Sequence, residues 1–194
     1  MRRLIGSIIA AGLIAQAFVP IPAFSGEPNW YAEGIHAEMA GQYVLAIDRY
    51  TLSAKTGLSD AKLALGRLYR DVYGDADNSF KWFKQAAEQG NIFAQFELGV
   101  LYQQGSAAVI PDRDQATKWL TTAANRGHSQ AAYALFEMAT EDTEALRRLQ
   151  QAANHGVVDA MQRLGTAYRY GEFGLNVDLT KSQEWLERAI LAQE

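Results

Sequence analysis

The sequence predicts an all-α protein, an α-solenoid superhelix built from about five antiparallel helix pairs. A phrase that ends in glycine recurs along the 194-residue chain, at Gly57, Gly90, Gly127 and Gly156, and the intervals of 33, 37 and 29 residues are typical of helix-pair repeats. Four residues after each of these glycines, an alanine begins a helical phrase. No segment sustains the period-two alternation of a strand, so no sheet is expected.

The first 25 residues have the layout of a secretory signal peptide. Arg2 and Arg3 precede an apolar run from Leu4 to Val19, and Pro20 and Pro22 then break any helix. This run has 16 residues, whereas a membrane-spanning helix needs about 20. An uncleaved membrane anchor is therefore the less favoured alternative.

Small residues mark two possible cleavage sites, Ala15-Gln16-Ala17 and Ala23-Phe24-Ser25, and we prefer the second. Residues 1–25 are thus assigned to the leader and residues 26–194 to the mature domain, which holds 16 basic and 22 acidic residues. An exported chain without cysteine fits the periplasm of a Gram-negative cell, or secretion from the cell.

Composition excludes several classes of function. The whole chain has a net charge of −4, and an acidic balance argues against a nucleic-acid groove, which needs a basic stripe. The absence of cysteine removes disulfides, thiolate metal sites and a cysteine nucleophile. No second stretch is apolar enough to span a bilayer, so we expect no stable membrane insertion once the leader is removed.

The repeated phrases divide the mature chain into units of two helices each. Gly66, Gly99 and Gly165 lie inside the first helix of three units, where a missing side chain lets the neighbouring helix approach closely. In the fourth unit, Phe136 replaces this glycine, and Arg148 replaces the tryptophan of the second helix. The predicted units are 28–57, 58–90, 91–127, 128–156 and 157–194.

The second helix of each strong unit has one pattern, an acid seven residues before a tryptophan. The pairs are Asp75 with Trp82, Asp112 with Trp119, and Asp178 with Trp185. An acid at a helix start accepts hydrogen bonds from free amides and meets the positive end of the helix dipole. These acids are therefore predicted to be helix caps.

The phrases Leu-Gly-x-x-Tyr, Gly-Leu-Asn-Val-Asp and Asp-x-x-Lys-Ser-x-x-Trp, which occur together between Ala160 and Ala192, resemble the Sel-one-like repeat (SLR) family. This family is a close relative of the tetratricopeptide repeats, and the resemblance covers most of residues 28–194. It implies a right-handed superhelix that serves as an adaptor surface. Exported bacterial relatives are regulators of envelope signalling, assembly factors or immunity proteins, so the resemblance implies a protein–protein interaction scaffold.

On tetratricopeptide-like spacing, the first helices line a concave wall that can hold a helix or an extended peptide. Aromatic and arginine side chains are the usual anchors of interfaces, so a protein partner with an apolar anchor and an acidic neighbour is expected. An alternative is that Phe93 and Phe96 belong to the core in an offset register. The candidate wall residues are Tyr31, Arg67, Arg70, Phe93, Phe96, Tyr133, Arg169 and Tyr170, beside Glu38, Leu63, Val100, Gln103, Glu137 and Gln162.

Two short matches suggest a different function, that of a penicillin-binding or cell-wall-fragment-binding hydrolase. Ser59-Asp-Ala-Lys62 has the Ser-x-x-Lys form, and Lys55-Thr56-Gly57 has the Lys-Thr-Gly form. In such enzymes the two motifs lie far apart on a helix and a strand, whereas here they share one junction. Ser59 is better interpreted as a helix cap and Gly57 as the stop of the preceding helix.

The histidines give no indication of a metal site. His36, His128 and His155 each lack a second ligand at helical spacing. His128 and His155 adjoin repeat-closing glycines, where a helix C-terminus favours an imidazolium. The sequence therefore predicts no catalytic residue, no metal and no cofactor.

Overall fold

The computed structural model describes residues 29–193, which form ten helices and their connections without any strand in that range. The predicted leader and both of its cleavage sites lie outside the described residues. The helices are α1 (Trp30–Met39), α2 (Tyr43–Lys55), α3 (Ser59–Asp71), α4 (Ala76–Glu88), α5 (Ile92–Gln104), α6 (Arg113–Asn125), α7 (Ser129–Met138), α8 (Asp142–Asn154), α9 (Val158–Tyr170) and α10 (Leu179–Leu191).

The helices pair in chain order and the pairs stack on one another. Odd-numbered first helices pack on the second helices that come after them, and each second helix packs on the first helix of the next pair. Within residues 29–193, the first helices α5 and α7 also contact each other. No two second helices share a contact as extensive as this one. The first helices therefore line the inner side of the stack, and the predicted all-α solenoid of five pairs is confirmed.

Glycine ends the second helices as predicted. Gly90 and Gly127 have φ angles of +86° and +94°, a conformation that glycine adopts without the steric cost of a side chain. The amide after Gly127 donates to the Ala123 carbonyl oxygen at 3.0 Å, and the Gly127 amide donates to the Ala124 carbonyl oxygen at 3.1 Å. These bonds satisfy carbonyl groups that the end of α6 leaves free.

The predicted acid caps are confirmed at three second helices. The Asp75 carboxylate accepts from the Asn78 amide at 3.0 Å, and the Asp178 carboxylate accepts from the Lys181 amide at 3.0 Å. Asp112 accepts from two successive amides at the start of α6, both at 3.0 Å. Each of these helices therefore begins where the acid stands.

The predicted cap at Ser59 is wrong. Leu58 occupies the cap position, and α3 already begins at Ser59. The Ser59 hydroxyl instead accepts from Asn91 Nδ2 at 3.4 Å, and the same amide nitrogen donates to the Asp60 carboxylate at 2.7 Å. The side-chain oxygen of Asn91 caps α5 by accepting from the Ala94 amide at 3.0 Å, so one side chain joins two successive first helices.

In four of the five described first helices, all except α7, an interior glycine admits a large side chain from the second helix. A Cβ atom on Gly99 would lie 2.7 Å from Leu120 Cγ, and one on Gly66 would lie 2.5 Å from Phe83 Cδ1. Leu120 and Phe83 are both 0% exposed, so neither can move aside into solvent. Helix separation in these units is thus set by the absence of a side chain on the glycine.

The fourth unit departs from this pattern. Helix α7 has 10 residues, whereas α5 and α9 have 13 each, and only a short turn joins it to α8. No glycine ends α7; Ala139 is its extended cap residue, and the Arg113 guanidinium of α6 donates to the Met138 carbonyl oxygen. A positively charged side chain therefore provides the hydrogen bond for a carbonyl group at the C-terminal end of α7. Arg148, in the place of the repeat tryptophan, is only 6% exposed.

Gly99→Ala should lower the free energy of unfolding by about 1–3 kcal/mol, and Gly99→Val by more, because the new methyl groups overpack Leu120. Urea unfolding monitored by circular dichroism measures the change. In a Leu120→Ala background the obstructing branch is gone, so Gly99→Ala should be neutral there or stabilise by up to about 1 kcal/mol through helix propensity. An equal cost in both backgrounds would contradict the close-packing explanation.

Candidate partner-binding wall

The inner surface formed by α1, α3, α5, α7 and α9 is here called the first-helix wall. Tyr31, Phe96 and Tyr133 take equivalent places on three of these helices, and each is half-buried. The Tyr31 ring lies 5.6 Å from that of Tyr50, and the Tyr133 ring lies 5.5 Å from that of Phe136. Leu63, at the same place on α3, is buried and offers little surface to a partner.

Phe93, Phe96 and His128 form the aromatic centre of the wall. The His128 ring stacks on Phe96 with centroids 4.4 Å apart, and it meets the edge of Phe93 at 5.4 Å. Phe96 packs against the core, whereas Phe93 is 55% exposed. The structure therefore separates the two phenylalanines: Phe93 is a surface side chain, and Phe96 joins that surface to the core.

His128 has a role that the sequence interpretation missed. It caps the start of α7, where its Nδ1 atom accepts from the Ala131 amide at 3.3 Å. Burial lowers the pKa of His128, and the nearby Arg67 charge lowers it further, against an opposing effect of Glu97. The predicted imidazolium at a helix C-terminus is wrong here, because a ring that accepts an amide hydrogen bond through Nδ1 must be unprotonated at that atom.

The two arginines of α3 are already engaged within the wall. Arg70 Nη1 lies 2.5 Å from one oxygen of Glu97, and Arg67 Nε lies 3.4 Å from the other. Arg70 also pairs with Asp71 at 2.7 Å, and hydrogen bonding to Asp71 and Glu97 raises the pKa of Arg70. The sequence predicts that the partner carries an acidic group for these arginines. The structure weakens that prediction, because Glu97 and Asp71 balance the two positive charges.

The remaining candidates lie at the far end of the wall, on the last turn of α9. Arg169 is exposed, and Tyr170 is 66% exposed. On the same helix, Arg163 lies over the Phe173 ring at 4.9 Å and pairs with Glu172. The structure thus places Arg169 and Tyr170 on the same series of helices as the aromatic centre, but it does not bring them into contact with that centre.

The structure lends no support to a hydrolase centre. Ser59 Oγ accepts from the Asn91 amide, and within residues 29–193 no hydrogen bond joins it to Lys62. In the same range, no group of three histidine or acidic side chains converges as a metal site. None of the described helices has the length and apolar character needed to cross a membrane.

The comparisons with known proteins match this geometry. The Sel1 repeat family model matches residues 59–91, 92–128 and 158–193, more than half of the chain. A Sel1 repeat protein from Oxalobacter formigenes has 25% identity and a TM-score of 0.75, with 84% of this chain and 72% of that chain covered. No curated protein matches the sequence.

A second similar structure is a protective antigen of uropathogenic Escherichia coli strains that displays an SLR fold. It has 27% identity and a TM-score of 0.69, and the match covers 76% of this chain. This chain spans only about a third (33%) of the antigen's length. A putative Sel1 repeat protein from Klebsiella pneumoniae subsp. pneumoniae has 19% identity and a TM-score of 0.51, which shows a shared fold over 84% of this chain and 85% of that chain.

His128→Asn should make stability less sensitive to acid, because asparagine still caps a helix but does not titrate. A lowered pKa in the folded state means that His128 contributes stability above its unfolded value of 6.5, and that this contribution is lost as the pH falls below 6.5. Between about pH 7.5 and about pH 5, the unmodified protein should therefore lose more unfolding free energy than the variant.

Urea unfolding at both pH values measures this difference, and an NMR titration of the His128 ring should give a midpoint below 6.5. A pH dependence that is identical in the two proteins, or a midpoint above 6.5, would show that His128 is not held neutral by the aromatic centre.

Proposed function

The chain belongs to the Sel1 repeat family, and on that premise we propose that it is an exported, non-enzymatic scaffold that binds another protein along the first-helix wall. The partner contributes a helical or extended segment that lies across several first helices. Repeats of this kind present a long surface without an enclosed pocket, so binding of a macromolecule suits the architecture better than turnover of a small substrate.

The observation that carries the proposal is the exposed position of Phe93. A large apolar side chain that is 55% exposed stands on a 13-residue helix and is supported by the stacked pair of Phe96 and His128. Aromatic side chains at such positions are frequent hot spots of interfaces, because they bury a large area at little cost in side-chain entropy. We therefore assign Phe93 the central contact with the partner.

The charges beside Phe93 suggest how the wall selects its partner. Arg67 and Arg70 share Glu97, so a partner does not need an acidic group to balance them. Paired charges at the rim of an interface contribute mainly to orientation and to the rejection of wrong partners. The partner segment is thus anchored by apolar contact with Phe93 and is positioned by polar groups around the ion-pair network.

Export to the periplasm is part of the proposal, and its support is the basic and apolar leader pattern of residues 1–25. Three biological roles fit an exported scaffold of this kind. An immunity-type inhibitor should rescue cells from one co-expressed toxin. A regulator should alter the output of envelope signalling, and an assembly factor should co-fractionate with a large envelope complex.

Site-specific photo-crosslinking in the native cell tests the wall. A benzophenone amino acid at Phe93 should give a discrete crosslinked product. The same group at Lys84, an exposed position on the second helix α4, should give no such product. Equal crosslinking from both positions would overturn the assignment of the wall as the binding face.

The partner recovered in that way then allows a quantitative test. Phe93→Ala should weaken binding by about 30-fold, the effect of a hot spot of about 2 kcal/mol. Its melting temperature should be nearly unchanged, because the side chain is largely exposed. Binding that is unaffected by Phe93→Ala, measured by calorimetry, would remove Phe93 from the interface.

A further inference from the structure

The fourth unit contains a groove that is separate from the first-helix wall. It lies between the second helices α6 and α8, and we call it the unit-four groove. Apolar atoms of Leu135, Met138 and Ala139, at the end of α7, form its floor, Thr117 and Thr121 of α6 form one side, and Arg148 of α8 lies opposite. The groove is therefore built by the unit that departs from the repeat pattern.

The groove lies where the neighbouring units place aromatic rings. In the third unit, Tyr102 and Trp119 pack against the same core cluster, and Tyr168 and Trp185 do so in the fifth unit. The equivalent residues of the fourth unit are Ala139 and Arg148, and neither carries a ring. The two substitutions leave room for a ring between α6 and α8.

Two features of the backbone keep this space open. Helix α7 is three residues shorter than α5 and therefore does not extend over the groove. The third unit has a loop after its first helix, residues 105–112, in which Val109 is only 6% exposed. The fourth unit has three residues, 139–141, in place of this loop. Among the described residues, no chain segment is thus present to cover the groove.

Arg148 has the chemistry to hold a ligand there. It is 94% buried, since its exposed fraction is 6%, although it carries a full charge. Its Nε atom donates to Glu144 at 2.7 Å, and its Nη1 atom donates to Gln151 at 3.4 Å. A guanidinium has five N–H donors, so three of them have no protein acceptor among residues 29–193. The face of the guanidinium is also uncovered: aromatic rings lie over three other arginines of the described residues, but none lies over Arg148.

Charge balance indicates which ligand suits this cation. Two basic and two acidic side chains line the groove, Arg113 and Arg148 with Glu141 and Glu144, so the charges of the lining balance. Hydrogen bonds from Arg147 and Arg148 lower the pKa of Glu144 to about 2, which keeps this carboxylate ionised. A charged ligand is not favoured at a balanced site. An uncharged ring with an electron-rich face complements a guanidinium and also covers the apolar floor.

We propose that the unit-four groove binds one aromatic side chain of a protein partner, a tryptophan best of all, which stacks on Arg148 and takes the place of the repeat's missing rings. The fifth unit shows the same pair of groups within the protein itself, since the Arg188 guanidinium lies 4.2 Å from the centre of the Trp185 ring. The groove gives the scaffold a second contact, at residues separate from those of the wall.

The probe that tests this is N-acetyl-L-tryptophanamide, titrated into the 15N-labelled protein and monitored by NMR. Saturable shifts should appear at the amides of Leu135 and Met138 and at Arg148 Nε, with a dissociation constant on the order of 1 mM for a single side chain. N-acetyl-L-leucinamide and N-acetyl-L-aspartamide should bind at least about threefold more weakly, because neither offers a ring for the cation.

Two variants separate the groove from non-specific binding. Arg148→Trp restores the repeat residue, fills the groove and should abolish the shifts. Arg147→Trp makes the same chemical change at the exposed neighbouring position and should leave them intact. If Arg148→Trp does not fold, Arg148→Met keeps much of the buried stem without the cation and should weaken binding by at least about threefold.

Three results would overturn the proposal. The first is that the leucine or aspartate probe binds as tightly as the tryptophan probe. The second is that Arg148→Trp binds the tryptophan probe as well as the unmodified protein does. The third is that the shifts cluster around Phe93 and His128. The last result would assign the ring to the first-helix wall. A negative result for ring binding in the groove does not affect the crosslinking experiment at Phe93, so the two proposals are tested separately.

Discussion

The close approach of the two helices within each unit is the contact on which the rest of the structure depends. A first-helix glycine leaves space for one large side chain, such as Leu120 against Gly99 or Leu186 against Gly165. The interior of a protein is close-packed, so this contact limits how closely the two helices can approach each other. Repetition of the contact gives neighbouring units a common geometry, and the first helices then form a continuous wall.

The fourth unit shows how the architecture changes when that contact is replaced. Phe136 stands where the other units have glycine, and its ring lies 5.8 Å from Phe173 in the loop after α9. Leu149 is still fully buried, so the core continues through this unit. The first helix of this unit is shorter, and the Arg113 guanidinium donates to the carbonyl group at its C-terminal end. The tyrosine and tryptophan that the neighbouring units carry are absent. The regular units thus build the wall, and the irregular unit builds the groove.

Local patterns in the sequence predicted most of the fold. The closing glycines and the acid caps act within one or two helical turns, and the interior glycines act within one helix pair; each has a residue type that the geometry requires. Ser59 was misassigned because one residue of shift changes a cap into the first helical residue. The groove could not be predicted, because a missing ring reveals a space only once the neighbouring helices are in place.

The side-chain chemistry of the wall was less predictable for the same reason. Phe93, Arg67 and Arg70 were identified by their spacing, but the Glu97 that pairs with both arginines lies in the next unit. His128 combines a cap and a ring stack that belong to two different helices. Contacts between units depend on the curvature of the stack, which no single repeat encodes.

The stepwise packing of the helices also has a mechanical consequence. Each pair is held mainly by the pairs before and after it, so a small rotation at one junction leaves the others undisturbed. Four such junctions connect the pairs in series, so the geometry of each junction contributes to the pitch of the superhelix. A ligand that lies along the inner surface contacts the first helices of several pairs, so it would bridge junctions that the chain itself leaves independent of one another.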